Sequence, residues 1–382
     1  MEMLFKNLEI TPDSVKLRAE YQDTVDLHFD FDRRLEVSST QVALALTTLC
    51  GTKYDAISFD FEVDASAMTT ISVATGAEVS AVQASDSPRI TSESGHLLSF
   101  SGGFDSLAAW RMMPEDSHLV SMDFGGWFQR ESEFFRSFDT LVVKTNARSV
   151  PTRRTPLTLN HWSFMALGAI LTAQHFNAKY HTFGQILAES LSRNANKSSA
   201  LPVLTELGFI DAGYAKGLTE VGTASVILQS DPGIVSNSLK SLAGPKDRKL
   251  FRKAALSALV AEKLGVTVAL PELSFARSPR IDYGADYATT LSALYCIAKG
   301  ADEKIIDLFE SVPTEAFDLA RGVSMNFMEK LNWDSYMQFP APLKGGLWNK
   351  MHQFGLEPYT ENDWDELKAV RNHLAEARLA AN

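Results

Sequence analysis

Ser101, Asp105 and Ser106 stand within six positions that also hold Gly102, Gly103 and Phe104. Two hydroxyls and a carboxylate beside a Gly-Gly pair suit the handling of anionic oxygen. Glycine lets a backbone approach a phosphate with no Cβ in the way, and consecutive backbone N–H groups supply the donors. Asp105 is an odd neighbour for a phosphate unless a cation lies between them. Magnesium, which takes carboxylate and phosphate oxygens together, would be that bridge.

The flanking elements would position such a loop. Leu97-Leu98-Ser99-Phe100 is a short apolar run, and Leu107-Ala108-Ala109-Trp110 opens a helical pattern. Strand, tight loop and helix aim the unpaired N–H groups of the helix start at the same point as the loop amides. A second apolar run, His118 to Phe124, ends in Gly125-Gly126. A predicted helix over 127–138, a strand Thr140 to Lys144, a nearly all-round apolar helix from Leu159 to Phe176 and a fourth strand Lys179 to Gly184 follow. Strands alternating with helices at this spacing predict an α/β fold with a parallel sheet. Ligands of doubly wound sheets sit at the carboxyl ends of strands. Asp123, Phe124 and Gly184 fall at such ends, although the glycines there also suit plain turns.

The loop resembles the PP-loop, Ser-Gly-Gly-x-Asp-Ser, of the ATP pyrophosphatases. The resemblance implies a PP-loop domain that cleaves ATP between its α and β phosphates, adenylates a substrate oxygen and lets a nucleophile displace AMP. It implies catalytic roles for Ser101, Asp105 and Ser106, and ATP contacts from these residues together with Gly102, Gly103 and Phe104. Magnesium would sit with ATP on Asp105, and Asp123, Phe124 and Gly184 would flank the adenosine.

Within that group, residues 97 to 264 are most similar to 7-cyano-7-deazaguanine synthase and its relatives in anti-phage defence systems. That family adenylates a carboxylate, forms an amide with ammonia and activates again to reach a nitrile. Two departures stand out. Leu218-Thr219-Glu220 carries glutamate where the family has lysine, and Phe251-Arg252-Lys253 matches its basic ending, but the region around Ser241 to Pro245 has none of the family's four zinc cysteines. No zinc site is therefore expected, packing takes the place of a structural metal, and Lys216 is the candidate replacement for the missing lysine.

Composition narrows the classes. The chain has 382 residues, 45% hydrophobic and 22% charged, with a net charge of −11. This is an ordinary globular composition whose acidity argues against nonspecific binding to nucleic acid or anionic membrane. The longest apolar stretch, around Trp162 to Thr172, is shorter than the ~20 residues of a membrane span, and no secretory signal opens the chain. Two cysteines, Cys50 and Cys296, make neither a disulfide framework nor a Cys-x-x-Cys site, which steers chemistry away from sulfur transfer. A cytoplasmic location is expected.

Three regions follow from the patterning. Residues 1–92 read as a separate β-rich module, with Val25, Leu27, Phe29 and Phe31, and again Ile57, Phe59, Phe61 and Val63, in the period of half-buried strands. Ser38-Ser39-Thr40 would cap a helix between them. Residues 93–245 form the PP-loop domain and 246–382 a helical region. The polar stretch 188–199 is a candidate lid whose Arg193 and Lys197 close on phosphates, and it equally suits a solvated loop. Lys246, Arg248, Lys249, Arg252 and Lys253 place five cations in eight positions. They make either a basic helix face or a positive flank for pyrophosphate or an acidic substrate. His161 and His181 suit capping or core roles, since an ionised carboxylate needs no base.

The expected partners are ATP and a small carboxylate-bearing or nucleobase-like substrate, with no membrane and with a homodimer possible. Three readings stay open. The chain is a ligase or amidotransferase of the deazaguanine-synthase type, or a nucleobase- or protein-modifying enzyme whose N-terminal module presents the acceptor, or a nucleotide-binding component of a complex without turnover.

Overall fold

The computed structural model describes residues 1–84, 90–148, 162–187, 201–244, 247–271 and 280–381. The chain divides into two compact units. Residues 1–101, 115–183 and 198–212 form the first, and residues 102–114, 184–197 and 213–382 the second.

Among the described residues ten strands run as β1 (Glu2–Thr11), β2 (Ser14–Glu20), β3 (Thr24–Phe31), β4 (Ala56–Asp64), β5 (Glu78–Ala84), β6 (His96–Ser99), β7 (His118–Asp123), β8 (Leu141–Thr145), β9 (Tyr180–Phe183) and β10 (Ile210–Asp211). The helices are α1 (Ser39–Cys50), α2 (Ala65–Thr75), α3 (Phe104–Met112), α4 (Gln129–Phe135), α5 (Leu167–Leu171), α6 (Ala173–Phe176) and α7 (Pro202–Glu206). They continue as α8 (Glu220–Ser230), α9 (Val235–Leu242), α10 (Arg248–Leu264), α11 (Tyr287–Ala298), α12 (Thr314–Gly322), α13 (Lys344–Gln353) and α14 (Glu361–Ala381).

The first unit is built on one sheet in the order β10-β9-β6-β7-β8-β3-β2-β1-β4-β5. β10 through β8 are parallel to their neighbours. β8, β3, β2 and β1 pair antiparallel, and β1, β4 and β5 are parallel again. The chain is therefore α/β with a mostly parallel sheet.

The expected separate module over residues 1–92 gives way to this shared sheet. Phe29, Asp30 and Phe31 pair with Thr145, Lys144 and Val143, and the Val142 N–H donates to the Asp32 carboxylate at 3.0 Å. A parallel block ending at β8 would present an open edge of unpaired N–H and C=O groups, and β3 covers it. The predicted alternation holds in β3, where Val25, Leu27, Phe29 and Phe31 are buried. α1 opens with the predicted cap: the Ser38 hydroxyl accepts from the Gln41 N–H while the Gln41 side chain accepts from the Ser38 N–H. Every residue from Thr40 to Cys50 is buried, so α1 is a core helix.

The long apolar helix expected over 159–176 is broken, and residues 159–161 lie outside the described residues. A 3₁₀ turn over Trp162–Ala166 leads into α5, and α6 follows after Thr172. The Thr172 hydroxyl donates to the Gly168 carbonyl at 2.8 Å, the i−4 back-bond that bends helices. Gly168 itself admits no side chain, because a Cβ would stand 2.8 Å from Val120 Cγ2 on β7.

The second unit is helical. α8 packs on both α3 and α10, and α10 packs on α9 and α11. Among the described residues, no helix is long and apolar enough to cross a membrane.

Candidate functional site

β6 lies between β7 and β9, with the chain continuing to β8 on one side and β10 on the other. It is thus the switch point of the parallel block, the place where such sheets put ligands beyond the strand ends. β6 ends at Ser99, and Phe100 and Ser101 lead out of it. Gly102 then takes a φ of +75°, a left-handed conformation in which glycine is unstrained. Gly103 is extended and precedes α3, with no side-chain cap on the helix start among the described residues.

Two contacts hold this turn from within the second unit. The Ser106 hydroxyl donates to the Gly103 carbonyl at 3.0 Å, and the Ser238 hydroxyl donates to the Gly102 carbonyl at 3.0 Å. Gly184 packs against the same turn: a Cβ there would sit 2.7 Å from the Ser106 nitrogen and 2.8 Å from its Cα. Close backbone approach is therefore what requires glycine at 184.

Asp105, on the first turn of α3, faces a charge cluster from α8 and α10. Lys253 Nζ is 3.0 Å from Asp105 Oδ1 and 3.5 Å from Glu220 Oε1, with its side chain only 3% exposed. Arg252 donates to Glu220 at 2.8 Å and lies 3.7 Å from Asp286. Burial works against the Lys253 ammonium, but the Asp105 and Glu220 carboxylates outweigh it and hold its pKa above the ordinary lysine value. Arg252 is 9% exposed at its side chain, and its Nε is buried without a hydrogen-bond partner. A buried guanidinium N–H left in that state is a donor waiting for an acceptor.

A cavity of about 430 Å³ opens beside this cluster. Asp105, Thr219, Glu220, Arg252 and Asp286 line it, and Asp247, Arg248 and Lys249 add charges of both signs. The volume suits a small ligand. α8 and α10 present these residues because each is capped at its first turn: the Thr219 hydroxyl accepts from the Val221 and Gly222 N–H groups, and the Asp247 carboxylate from the Lys249 N–H. Glu220, Arg248 and Lys249 thus stand at helix starts beside the cavity.

A magnesium ion on Asp105 would have to share that carboxylate with Lys253. Oδ1 of that carboxylate is taken by Lys253, and among the described residues there is no group of three or more His, Cys, Asp or Glu side chains that would hold a metal ion. The second carboxylate nearby, Glu220, is held by Arg252 and Lys253.

The other predicted residues fall in varied places. Asp123 ends β7 with its carboxylate engaged, Oδ1 accepting from the Gly125 N–H at 3.0 Å and Oδ2 paired to Arg136 at 2.9 Å. Phe124 belongs to an aromatic cluster, edge-on to Phe128 and Phe164 at 5.8 and 5.4 Å. The Arg148 guanidinium lies over these three rings. Ser101 and Phe124 line a cavity of only about 30 Å³ with Ser99, Phe100 and Met122. That is room for a water molecule and not for an adenine ring. Lys216 is buried and does not line the larger cavity. Arg193, Lys197, Lys246 and His161 lie outside the described residues.

His181 is a core residue, bonded at Nε2 to the Ser99 hydroxyl at 3.0 Å, and burial pushes its pKa down to about 3. Cys50 and Cys296 are both buried, and burial pushes each thiol up to about 12. Asp286 is the cavity residue that sequence reasoning missed. Its only signal is the helix-start spacing Asp286-x-x-Thr289, where the carboxylate caps α11 by accepting from the Thr289 N–H.

No family model, curated protein or solved structure matches the chain.

Proposed function

We propose that the chain is an ATP pyrophosphatase of the PP-loop type that adenylates a substrate carboxylate or similar oxygen, after which a nitrogen nucleophile displaces AMP. The observation that supports this reading is the Ser-Gly-Gly-Phe-Asp-Ser turn that follows the switch-point strand β6 and opens α3, whose Asp105 meets buried Lys253 beside Arg252.

In this reading, the amides of Gly102 and Gly103 and the first turn of α3 bind phosphate oxygens. The substrate oxygen attacks the α-phosphorus, the bond to the α–β bridging oxygen breaks, and pyrophosphate leaves with the electron pair. Arg252, which lines the cavity, and Lys253 behind Asp105 would offset the charge that builds on that leaving group. The nitrogen nucleophile then attacks the acyl carbon and AMP departs. The test is product analysis with ATP and a panel of carboxylates, deazaguanine acids included. AMP with pyrophosphate is expected, and Asp105→Ala should abolish it.

A second reading, a nucleotide-binding component without turnover, draws on Glu220. This residue engages both Arg252 and Lys253 and so competes with a leaving pyrophosphate for them. Tight ATP binding with no AMP from any acid tested would favour it.

A further inference from the structure

We propose that Lys253 serves as a built-in cation for the loop, so that polyphosphate binds at Asp105 without added divalent metal. This rests on the phosphate-loop reading above and deepens it. A phosphate brought to the start of α3 meets the Asp105 carboxylate, and two anions at that range repel unless a cation joins them. The Lys253 ammonium, 3.0 Å from Oδ1, already neutralises that carboxylate from outside the cavity lining.

Asp105 and Glu220 flank Lys253, and Glu220 and Asp286 flank Arg252, by contacts of 3.0, 3.5, 2.8 and 3.7 Å, so each buried cation has two carboxylate neighbours. The ammonium is fixed, with 3% of its side chain exposed and Nζ 5.7 Å from the Phe104 ring centroid on α3. A divalent ion on the same oxygen would meet the like charge of the Lys253 ammonium 3.0 Å from that oxygen.

Arg252 adds a second, independent sign of an anionic ligand. Its guanidinium is held at two corners by Glu220 and Asp286, while the buried Nε has no partner. A phosphate oxygen in the cavity it lines would satisfy that N–H with a charge-assisted bond.

The experiment is calorimetric titration of the full chain with inorganic pyrophosphate and with ATP, once in EDTA and once in magnesium. The expected result is a Kd in EDTA within about threefold of that in magnesium, since the lysine bond substitutes for the metal bridge. Lys253→Gln should weaken binding in EDTA by about tenfold or more, with magnesium restoring part of it as Asp105 becomes free to take the ion. If that variant fails to fold, the paired variant Asp105→Asn with Lys253→Gln, neutral on both sides, should fold and still bind without metal. Binding by the wild-type chain only when magnesium is present would overturn the proposal. Absence of binding in both buffers would instead remove the phosphate-loop reading itself, and this proposal with it.

Discussion

Gly184 and the Ser106 amide sit so close that a Cβ on the glycine would come within 2.7 Å of that nitrogen. Gly184 therefore packs directly on the first turn of α3. Gly184→Ala should force the first turn of α3 to shift, costing about 1–3 kcal/mol of stability as overpacking does and weakening ATP binding. Gly346→Ala, on α13 where a Cβ would meet nothing within 4 Å, should instead raise stability by about 0.5–1 kcal/mol. Thermal denaturation of the two variants checks the pair.

The cluster of Glu220 and Arg252 predicts strong coupling. The two side chains are 15% and 9% exposed and 2.8 Å apart. Glu220→Gln or Arg252→Met alone should each cost about 1–3 kcal/mol, because each breaks the charge-assisted bond while Asp286 still faces Arg252 and Lys253 still faces Glu220. The double variant should cost less than the sum. A double-mutant cycle from urea denaturation reads this directly, and additive losses would count against it.

Buried His181 sets a pH dependence. Its folded-state pKa of about 3 lies far below the ordinary 6.5, so between those values the unfolded chain binds the extra proton. Stability is then complete above pH 6.5 and falls as pH drops, by up to ~1.4 kcal/mol per pH unit for one proton. His181→Gln should flatten the fall between pH 6.5 and 5, above the range where carboxylates titrate. Chemical denaturation at stepped pH checks it.

Removing residues 1–92 should not release a working domain. Without β3 the β8 edge opens, and the buried face of β3 and α1 that now covers the unit is lost. The expected outcome is an insoluble or molten product. A soluble, cooperatively folded 93–382 fragment would contradict the shared sheet.

What could be read from sequence was local. Alternation in β3 and β4, the Ser38 capping signal and the strand–glycine–helix passage at Ser99 to Phe104 are set by neighbours within a few positions, and each is present. The pairing of β3 with β8 joins segments more than a hundred positions apart, and nothing in either strand names its partner. Lys253 and Asp105 are likewise separated by 148 positions. A basic run and a glycine loop were both visible, but only the packing of α3, α8 and α10 brings a lysine onto the loop's carboxylate. The break at Thr172 depended on whether its hydroxyl turns back to Gly168 or outward, a choice made by the core around it.

The most direct test of the proposed ATP chemistry is the fate of ATP. The chain, incubated with ATP labelled at the α-phosphate and an activatable carboxylate, should yield AMP and pyrophosphate in equal amounts, with Asp105→Ala inactive. ADP and phosphate as the products, or no ATP binding by calorimetry, would contradict the account.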